Sequence, residues 1–96
     1  MGIEEQIGRR REETLRIAGH HAACNVRVFG SVARGDANAT SDLDLLIEAG
    51  PNLTPWFPGG LVSDLEELLR RHVDIVTEQA LHSAMGDRVL TEAVPL

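Results

Sequence analysis

Residues 30–47 read GSVARGDANATSDLDLLI, and this stretch decides the fold. It opens with Gly30 and Ser31 directly after a short apolar run, and it closes with Asp42 and Asp44 inside a second apolar run. The residues between the two runs are rich in turn-forming types, which favours a strand, a turn and a second strand. The stretch therefore predicts a tight turn that leads into a strand carrying two carboxylates.

The second strand, predicted over Asp42–Glu48, has one apolar face and one face that carries both carboxylates. Its apolar face consists of Leu43, Leu45 and Ile47. Asp42 and Asp44 point the same way, about 6–7 Å apart along the backbone. Two carboxylates at this separation ionise together easily only when a cation lies between them. An all-oxygen donor set suits Mg²⁺ or Mn²⁺ rather than zinc, so the strand predicts such a metal site.

Gly30 and Ser31 lie where a phosphate group would be bound. They begin a short predicted helix, Ser31–Arg34, and the N–H groups at a helix N-terminus bind anions. Gly30 allows close approach of the backbone, the Ser31 hydroxyl can donate a hydrogen bond, and Arg34 can neutralise phosphate charge. Because Mg²⁺ fills its remaining coordination positions with water and substrate phosphate, a nucleoside triphosphate is the natural co-ligand.

Asp74 supplies a third carboxylate from another strand, predicted over His72–Thr77. Two metal ions about 3.5–4 Å apart can stabilise the attacking and leaving oxygens of an in-line displacement. One ion among Asp42, Asp44 and Asp74 would lower the pKa of an acceptor hydroxyl, and a second ion would orient the triphosphate. The alternatives are a surface turn in which the Asp residues cap the backbone, and an Asp74 that is only a satisfied edge residue.

The remaining segments complete the order helix, strand, short helix, strand, helix, strand, helix. This order predicts an α/β fold in which a small mixed β-sheet is flanked by helices. The other predicted elements are a helix at Ile3–His20, a strand at Val26–Phe29, a helix at Leu61–Arg71 and a helix at Leu81–Ala93.

The sequence also predicts the environment or the role of several residues outside the motifs described above. The loop Ala49–Gly60 carries Trp56 and Phe57, which either cover the core or anchor a binding partner. Cys24 is expected to be a small buried side chain. The adjacent pair His20 and His21 is expected to stabilise a helix C-terminus rather than to bind metal, since neighbouring helical positions diverge. His82 is expected at the surface.

Composition limits the possible functions of this chain. Its 96 residues suit a single domain, residues 1–96, and the formal net charge of −6 disfavours general nucleic-acid binding. All nine basic residues are Arg, and Tyr is absent. No apolar run is long enough to cross a membrane, and no signal peptide is evident, so we expect a cytoplasmic protein.

At the residues that carry the chemistry, the sequence resembles the minimal nucleotidyltransferases of the DNA polymerase β-like superfamily. The hallmark of that family is Gly-Ser, ten residues, Asp-x-Asp and a third Asp on a later strand, and the spacing here is intact. Further similar segments are Ala33-Arg34-Gly35, Ser41–Ile47, Leu65–Glu78 and Arg88–Leu96. The resemblance implies the nucleotidyltransferase fold, ATP as substrate and dependence on Mg²⁺, with two ions expected.

The resemblance also implies a role for each motif residue and a partner. Gly30, Ser31 and Arg34 would bind the nucleotide, and the three Asp residues would bind metal and act in catalysis. Members of this short type commonly pair with a HEPN-domain ribonuclease toxin and, as antitoxins, transfer AMP to one of its tyrosines. We therefore expect a protein adenylyltransferase in a hetero-oligomer. The alternatives are an antitoxin that neutralises by binding alone, and an enzyme that transfers the nucleotide to a small molecule.

Overall fold

The computed structural model describes residues 7–36, 41–51, 56–81 and 83–96. The elements are, in chain order, helix α1 (Arg11–His20), strand β1 (Ala23–Phe29), helix α2 (Gly30–Arg34), strand β2 (Leu43–Ala49), helix α3 (Gly59–Leu69), strand β3 (Val73–Thr77), a 3-10 turn (Glu78–Ala80), helix α4 (Ser83–Glu92) and strand β4 (Val94–Pro95). The alternation of helices and strands predicted from the sequence is confirmed.

The strands form one mixed sheet in the order β3-β2-β1-β4. Strand β1 runs antiparallel to both β2 and β4, whereas β2 and β3 are parallel. Parallel neighbours need a crossover connection, and here α3 lies within the segment that joins β2 to β3. The predicted fold class, a small mixed sheet flanked by helices, is confirmed.

The core lies between the sheet and the helices, and β2 and α3 contribute its most buried residues. Leu43, Leu45 and Ile47 of β2 are buried, as the alternation predicted, and they cluster with Leu61 and Leu65 of α3. Leu65 recurs four residues after Leu61, which places both on one helical face. These contacts hold β2 in position, so the direction of its other face is set by the core.

Strand β4 was not predicted from the sequence. It consists of only Val94 and Pro95, which pair with Val28 and Arg27 of β1. Two residues show no alternation, and Pro usually signals the end of an element, so the sequence contains no strand pattern here. A Pro is tolerated because β4 is an edge strand with one unpaired side. The backbone N–H of Leu96 donates to the Val26 carbonyl at 3.1 Å, which extends this attachment.

The N-terminal helix is shorter than predicted within the described residues. Residues 7–9 are helical, Arg10 lies in a turn, and α1 begins at Arg11. The predicted start, Ile3, lies outside the described residues, as do residues 37–40, residues 52–55 and His82. At the other end, His20 lies in the last turn and His21 is the C-cap residue, so their predicted place at the helix C-terminus is confirmed. None of the helices in the described parts of the chain has the length and apolarity to span a membrane.

The prediction that Cys24 is buried is wrong, because Cys24 is exposed. Strand β1 extends back to Ala23, and its register against β2 is irregular between Cys24 and Arg27. Asn25 adopts a positive φ of 48° within this irregularity. A β-bulge inserts one extra residue and reverses the alternation of side chains, so Cys24 no longer shares the buried face of Val26.

The two loop aromatics occupy different environments. Phe57 is partly buried and packs against the core cluster, which agrees with the predicted alternative that the loop aromatics cover the core. Trp56 is 90% exposed and adopts a positive φ of 65°. Only Phe57 therefore covers the core, and Trp56 presents its indole to solvent.

Truncating the α3 core contact tests this packing. We expect Leu65→Ala to lower the free energy of unfolding by about 2–5 kcal/mol, because it removes fully buried methyl groups and leaves a cavity. The control is Leu90→Ala on α4, whose side chain is 43% exposed and whose loss should change stability little. Urea unfolding measures both, and equal effects for the two variants would contradict the packing described here.

Candidate active site

The pairing of β2 with β3 brings two carboxylates together across 30 residues of sequence. Asp44 and Asp74 are partners in the parallel register, next to the buried pair Leu43 and Val73. The backbone N–H of Leu43 donates to the carbonyl of His72 at 2.9 Å, which aligns the starts of the two strands. Because partners in a parallel register share a face, both carboxylates lie on the same side of the sheet.

Three side chains at the start of these strands form a cluster of potential metal ligands within the described residues. Asp42, His72 and Asp74 are exposed, and one possible ligand atom from each lies within 4.8 Å of the other two. Asp44 lies outside this group and is half-buried. The structure thus brings all three predicted carboxylates to one end of the sheet, but it adds a histidine to the tight cluster and leaves Asp44 at a deeper position.

Asp44 carries an electrostatic cost in the absence of a cation. Burial raises the pKa of its carboxyl, and the negative charges of Asp74 and Asp42 raise it further, while Arg34 and His72 act in the opposite direction. A half-buried carboxylate beside two others is the environment in which a divalent cation compensates several charges at once. The oxygen donors of this site therefore fit Mg²⁺ or Mn²⁺.

A larger residue at Gly30 would be strained and would have to displace a neighbouring side chain. The φ of Gly30 is +74°, in the left-handed region, and a Cβ added there would collide with the Asp44 carboxylate. The preceding residue, Phe29, pairs with Asp44 in the register of β1 and β2, so the chain leaves β1 directly over that carboxylate. Helix α2 begins at Gly30, and the half-buried Ser31 follows Gly30 in the first turn.

Arg34 is held by two carboxylates. Its Nε lies 3.2 Å from Asp36 Oδ2, and its Nη1 lies 2.7 Å from Glu92 Oε1. Both hydrogen bonds raise the pKa of the guanidinium, and the bond to Glu92 has the larger effect. Arg34 is also close enough to Asp44 to counteract the raised pKa of that carboxyl. Glu92 lies 58 residues away on α4, and no sequence pattern links it to the motif.

His72 and Glu66 were missed at the sequence level, although a signal for His72 was present. His72 and Asp74 lie two residues apart, which is the spacing of Asp42 and Asp44 and places alternate side chains on one face of a strand. The His72 Nδ1 lies 3.0 Å from Glu66 Oε2, which also accepts the Val73 backbone N–H at 2.9 Å. Glu66 lies near the end of α3, six residues earlier, where its sequence environment is that of an ordinary exposed helical acid.

Comparison with known proteins assigns the family. The model of the nucleotidyltransferase domain family matches residues 11–96, which include the Gly-Ser turn and every carboxylate of the cluster. The chain belongs to the nucleotidyltransferase domain family. It is also 38% identical, over 74 residues, to the “Putative protein adenylyltransferase MJ0435” of Methanocaldococcus jannaschii, with 77% of this chain and 80% of that protein covered.

Solved structures agree with this family assignment. A structure described as “Structure of putative minimal nucleotidyltransferase” superposes with a TM-score of 0.87 at 45% sequence identity and covers 100% of this chain and 97% of its own. A toxin–antitoxin complex solved with AMP-PNP contains a chain that matches with a TM-score of 0.73 at 20% identity, over 96% of this chain and 70% of that chain. The second match shows a shared fold. Together they confirm the nucleotidyltransferase fold that the sequence predicted.

Replacing Gly30 tests the close approach over Asp44. We expect Gly30→Ala to destabilise the protein by about 1–3 kcal/mol, because the backbone is in the left-handed region and the new Cβ displaces the carboxylate. The control is Gly19→Ala in α1, where an added Cβ meets nothing within 4 Å and helix propensity favours Ala. Thermal unfolding compares the two, and a Gly30→Ala protein as stable as the control would refute this account.

The raised pKa of Asp44 predicts a pH-dependent stability. When folding raises the pKa of a carboxyl, the folded state is most stable, relative to the unfolded state, while that carboxyl is protonated. This stability is lost as the pH rises through the raised pKa. We therefore expect metal-free Asp44→Asn to unfold at a higher temperature than the wild type at pH 7. The difference should vanish in acid, below the ordinary carboxyl range, and Mg²⁺ should stabilise the wild type more than the variant.

The control for this comparison is Asp87→Asn, which removes an exposed carboxylate on α4. It should leave the effect of Mg²⁺ on the unfolding temperature unchanged. A metal-free wild type more stable than Asp44→Asn at pH 7 would contradict the electrostatic account of this site.

Proposed function

We propose that this nucleotidyltransferase transfers AMP from ATP to the hydroxyl group of a tyrosine in a partner HEPN-domain toxin. It thereby acts as the antitoxin of that toxin. The observation that carries the proposal is the convergence of Asp42, Asp44 and Asp74 at one end of the sheet, directly beside the turn at Gly30 and Ser31. Membership of the nucleotidyltransferase family supports it, and so does the similarity to a protein named as a protein adenylyltransferase.

The reaction joins the acceptor oxygen to the α-phosphorus of ATP. The bond between that phosphorus and the oxygen that bridges the α- and β-phosphates breaks, pyrophosphate leaves, and the proton of the hydroxyl is released to solvent. The three Asp residues would hold Mg²⁺, two ions in our proposal, which would lower the pKa of the acceptor hydroxyl and compensate the charge of the phosphates. The carboxylates would position this charge before the substrate arrives, because the β2–β3 pairing already holds Asp44 and Asp74 together.

The turn after β1 would bind the phosphates. Gly30 exposes its backbone beside Asp44 because it lacks a Cβ, and Ser31 follows with a hydroxyl that can donate a hydrogen bond. Arg34 would add a positive charge on the same side. Since Glu92 and Asp36 hold the guanidinium, Arg34 is restrained near Asp44, and a phosphate would share or replace these contacts.

The acceptor in our proposal belongs to another protein. The chain contains no Tyr, so a tyrosine acceptor cannot be its own. Trp56 is 90% exposed, whereas Trp is usually among the more buried residues, which suits a side chain that contacts a partner. The toxin–antitoxin complex that shares this fold was solved with an ATP analogue, which is consistent with both the partner class and the nucleotide.

Label transfer tests this function. The purified chain is incubated with Mg²⁺, α-labelled ATP and the candidate toxin, and we expect label on the toxin only, at tyrosine. The double variant Asp42→Asn/Asp44→Asn should lose at least about 100-fold of the transfer rate, because charge stabilisation by the metal site is removed. The matched control is Asp87→Asn, an exposed carboxylate outside the site, which should transfer at the wild-type rate.

Two results would overturn the proposed transfer of AMP to the toxin. Absence of label on the toxin, with the double variant still binding and inhibiting it, would identify an antitoxin that acts by binding alone. Label on an added small molecule and none on the toxin would identify the other alternative, transfer to a small-molecule acceptor.

A further inference from the structure

His72 is oriented toward the carboxylate cluster by contacts on its opposite side. Its Nδ1 lies 3.0 Å from Glu66 Oε2, so an Nδ1–H donated to this carboxylate leaves Nε2 as the nitrogen that faces the cluster. Nε2 lies 3.7 Å from Asp74 Oδ1. Glu66 is itself fixed, because the same oxygen accepts the backbone N–H of Val73 at 2.9 Å.

The position of His72 is also fixed by its own backbone. Its carbonyl accepts the Leu43 N–H at 2.9 Å, next to Asp42, and the side chain of Arg71 donates to the carbonyl of Ser41 at 2.8 Å. The residues before β2 and β3 are therefore joined at two points. The imidazole is attached to the same rigid edge of the sheet as the two exposed carboxylates.

The spacing of the three side chains suits a single divalent ion. Ligand bonds of about 2.1 Å in an octahedral site place neighbouring donor atoms about 3.0 Å apart and opposite donor atoms about 4.2 Å apart. The donor atoms of Asp42, His72 and Asp74 lie within 4.8 Å of one another, so small side-chain movements bring all three onto one ion. An imidazole whose other nitrogen is bound to a carboxylate is the usual arrangement of a metal-binding histidine.

We propose that His72 is a direct ligand of the divalent metal ion held by Asp42 and Asp74, and that Glu66 is the positioning residue that aims its Nε2 at the ion. This inference rests on the metal ion of the proposed function and adds a nitrogen donor to an all-carboxylate site. Imidazole binds Mg²⁺ poorly and suits transition metals better, so His72 shifts the preference of this site from Mg²⁺ toward Mn²⁺.

The alternative role for His72 is an ion pair at the surface. A protonated imidazole would satisfy Glu66 on one side and Asp74 on the other, and its side chain is 58% exposed. This alternative places no nitrogen on the metal ion. The two roles therefore differ in a spectroscopic signature and not only in activity.

Pulsed electron paramagnetic resonance of bound Mn²⁺ separates the two roles. The full chain, in excess over Mn²⁺ and without nucleotide so that no adenine nitrogen is present, is compared in its ¹⁴N form and its ¹⁵N-histidine form. We expect nitrogen modulation from one coordinated imidazole, which changes with the histidine isotope. His72→Gln should abolish the modulation, whereas His20→Gln, which removes an exposed histidine at the end of α1, should retain it.

Metal titration gives a second readout. We expect His72→Gln to weaken Mn²⁺ binding by about tenfold and Mg²⁺ binding much less, because only the transition metal gains from the nitrogen. Glu66→Gln should weaken Mn²⁺ binding while retaining the modulation, since the imidazole is still present but less well held. His72 is exposed and its backbone hydrogen bond remains in the variant, so His72→Gln is expected to fold.

The possible failures point to different conclusions. In one outcome, Asp42→Asn releases Mn²⁺ but the wild type shows no modulation from histidine nitrogen. This outcome would overturn the role of His72 and leave the proposed adenylyl transfer intact. Mn²⁺ binding that is unaffected by Asp42→Asn would count against the metal site itself, and thereby against both the inference and the proposed function.

Discussion

The parallel pairing of β2 with β3 is the interaction on which the rest of the molecule depends. It places Asp44 beside Asp74 and, through the hydrogen bond from Leu43 to His72, brings Asp42 to the same edge. The buried leucines of β2 hold one face of the strand in the core, so the carboxylates on the other face have little freedom. The geometry of the carboxylate cluster thus follows from burial of apolar side chains on the opposite face of the strand.

The same arrangement makes the site unfavourable for the folded protein by itself. Burial and two neighbouring negative charges act against ionisation of Asp44, and the positive φ of Gly30 allows the backbone to pass close above it. A chain of this size has little stability to spare. A bound cation would relieve this repulsion, and the apolar packing of β2 and α3 holds the carboxylates together in its absence.

Local patterns in the sequence predicted much of this structure. Short segments of the sequence encode the alternation over β2, the spacing from Ser31 to Asp42 and the leucines that share one face of α3. What could not be predicted depends on contacts between distant segments. The bulge that exposes Cys24, the two-residue strand β4, and the attachment of Glu92 to Arg34 each arise from tertiary placement with no periodic signal.

The crossover through α3 has a consequence for when the three carboxylates can come together during folding. Asp44 and Asp74 are separated by 30 positions, and closing such a loop costs conformational entropy that is recovered only when α3 and β3 dock together. A chain that has emerged only as far as β2 possesses the Gly-Ser turn and two carboxylates, but no complete site. Docking of β3 therefore completes the cluster, and the three carboxylates come together only in the native topology.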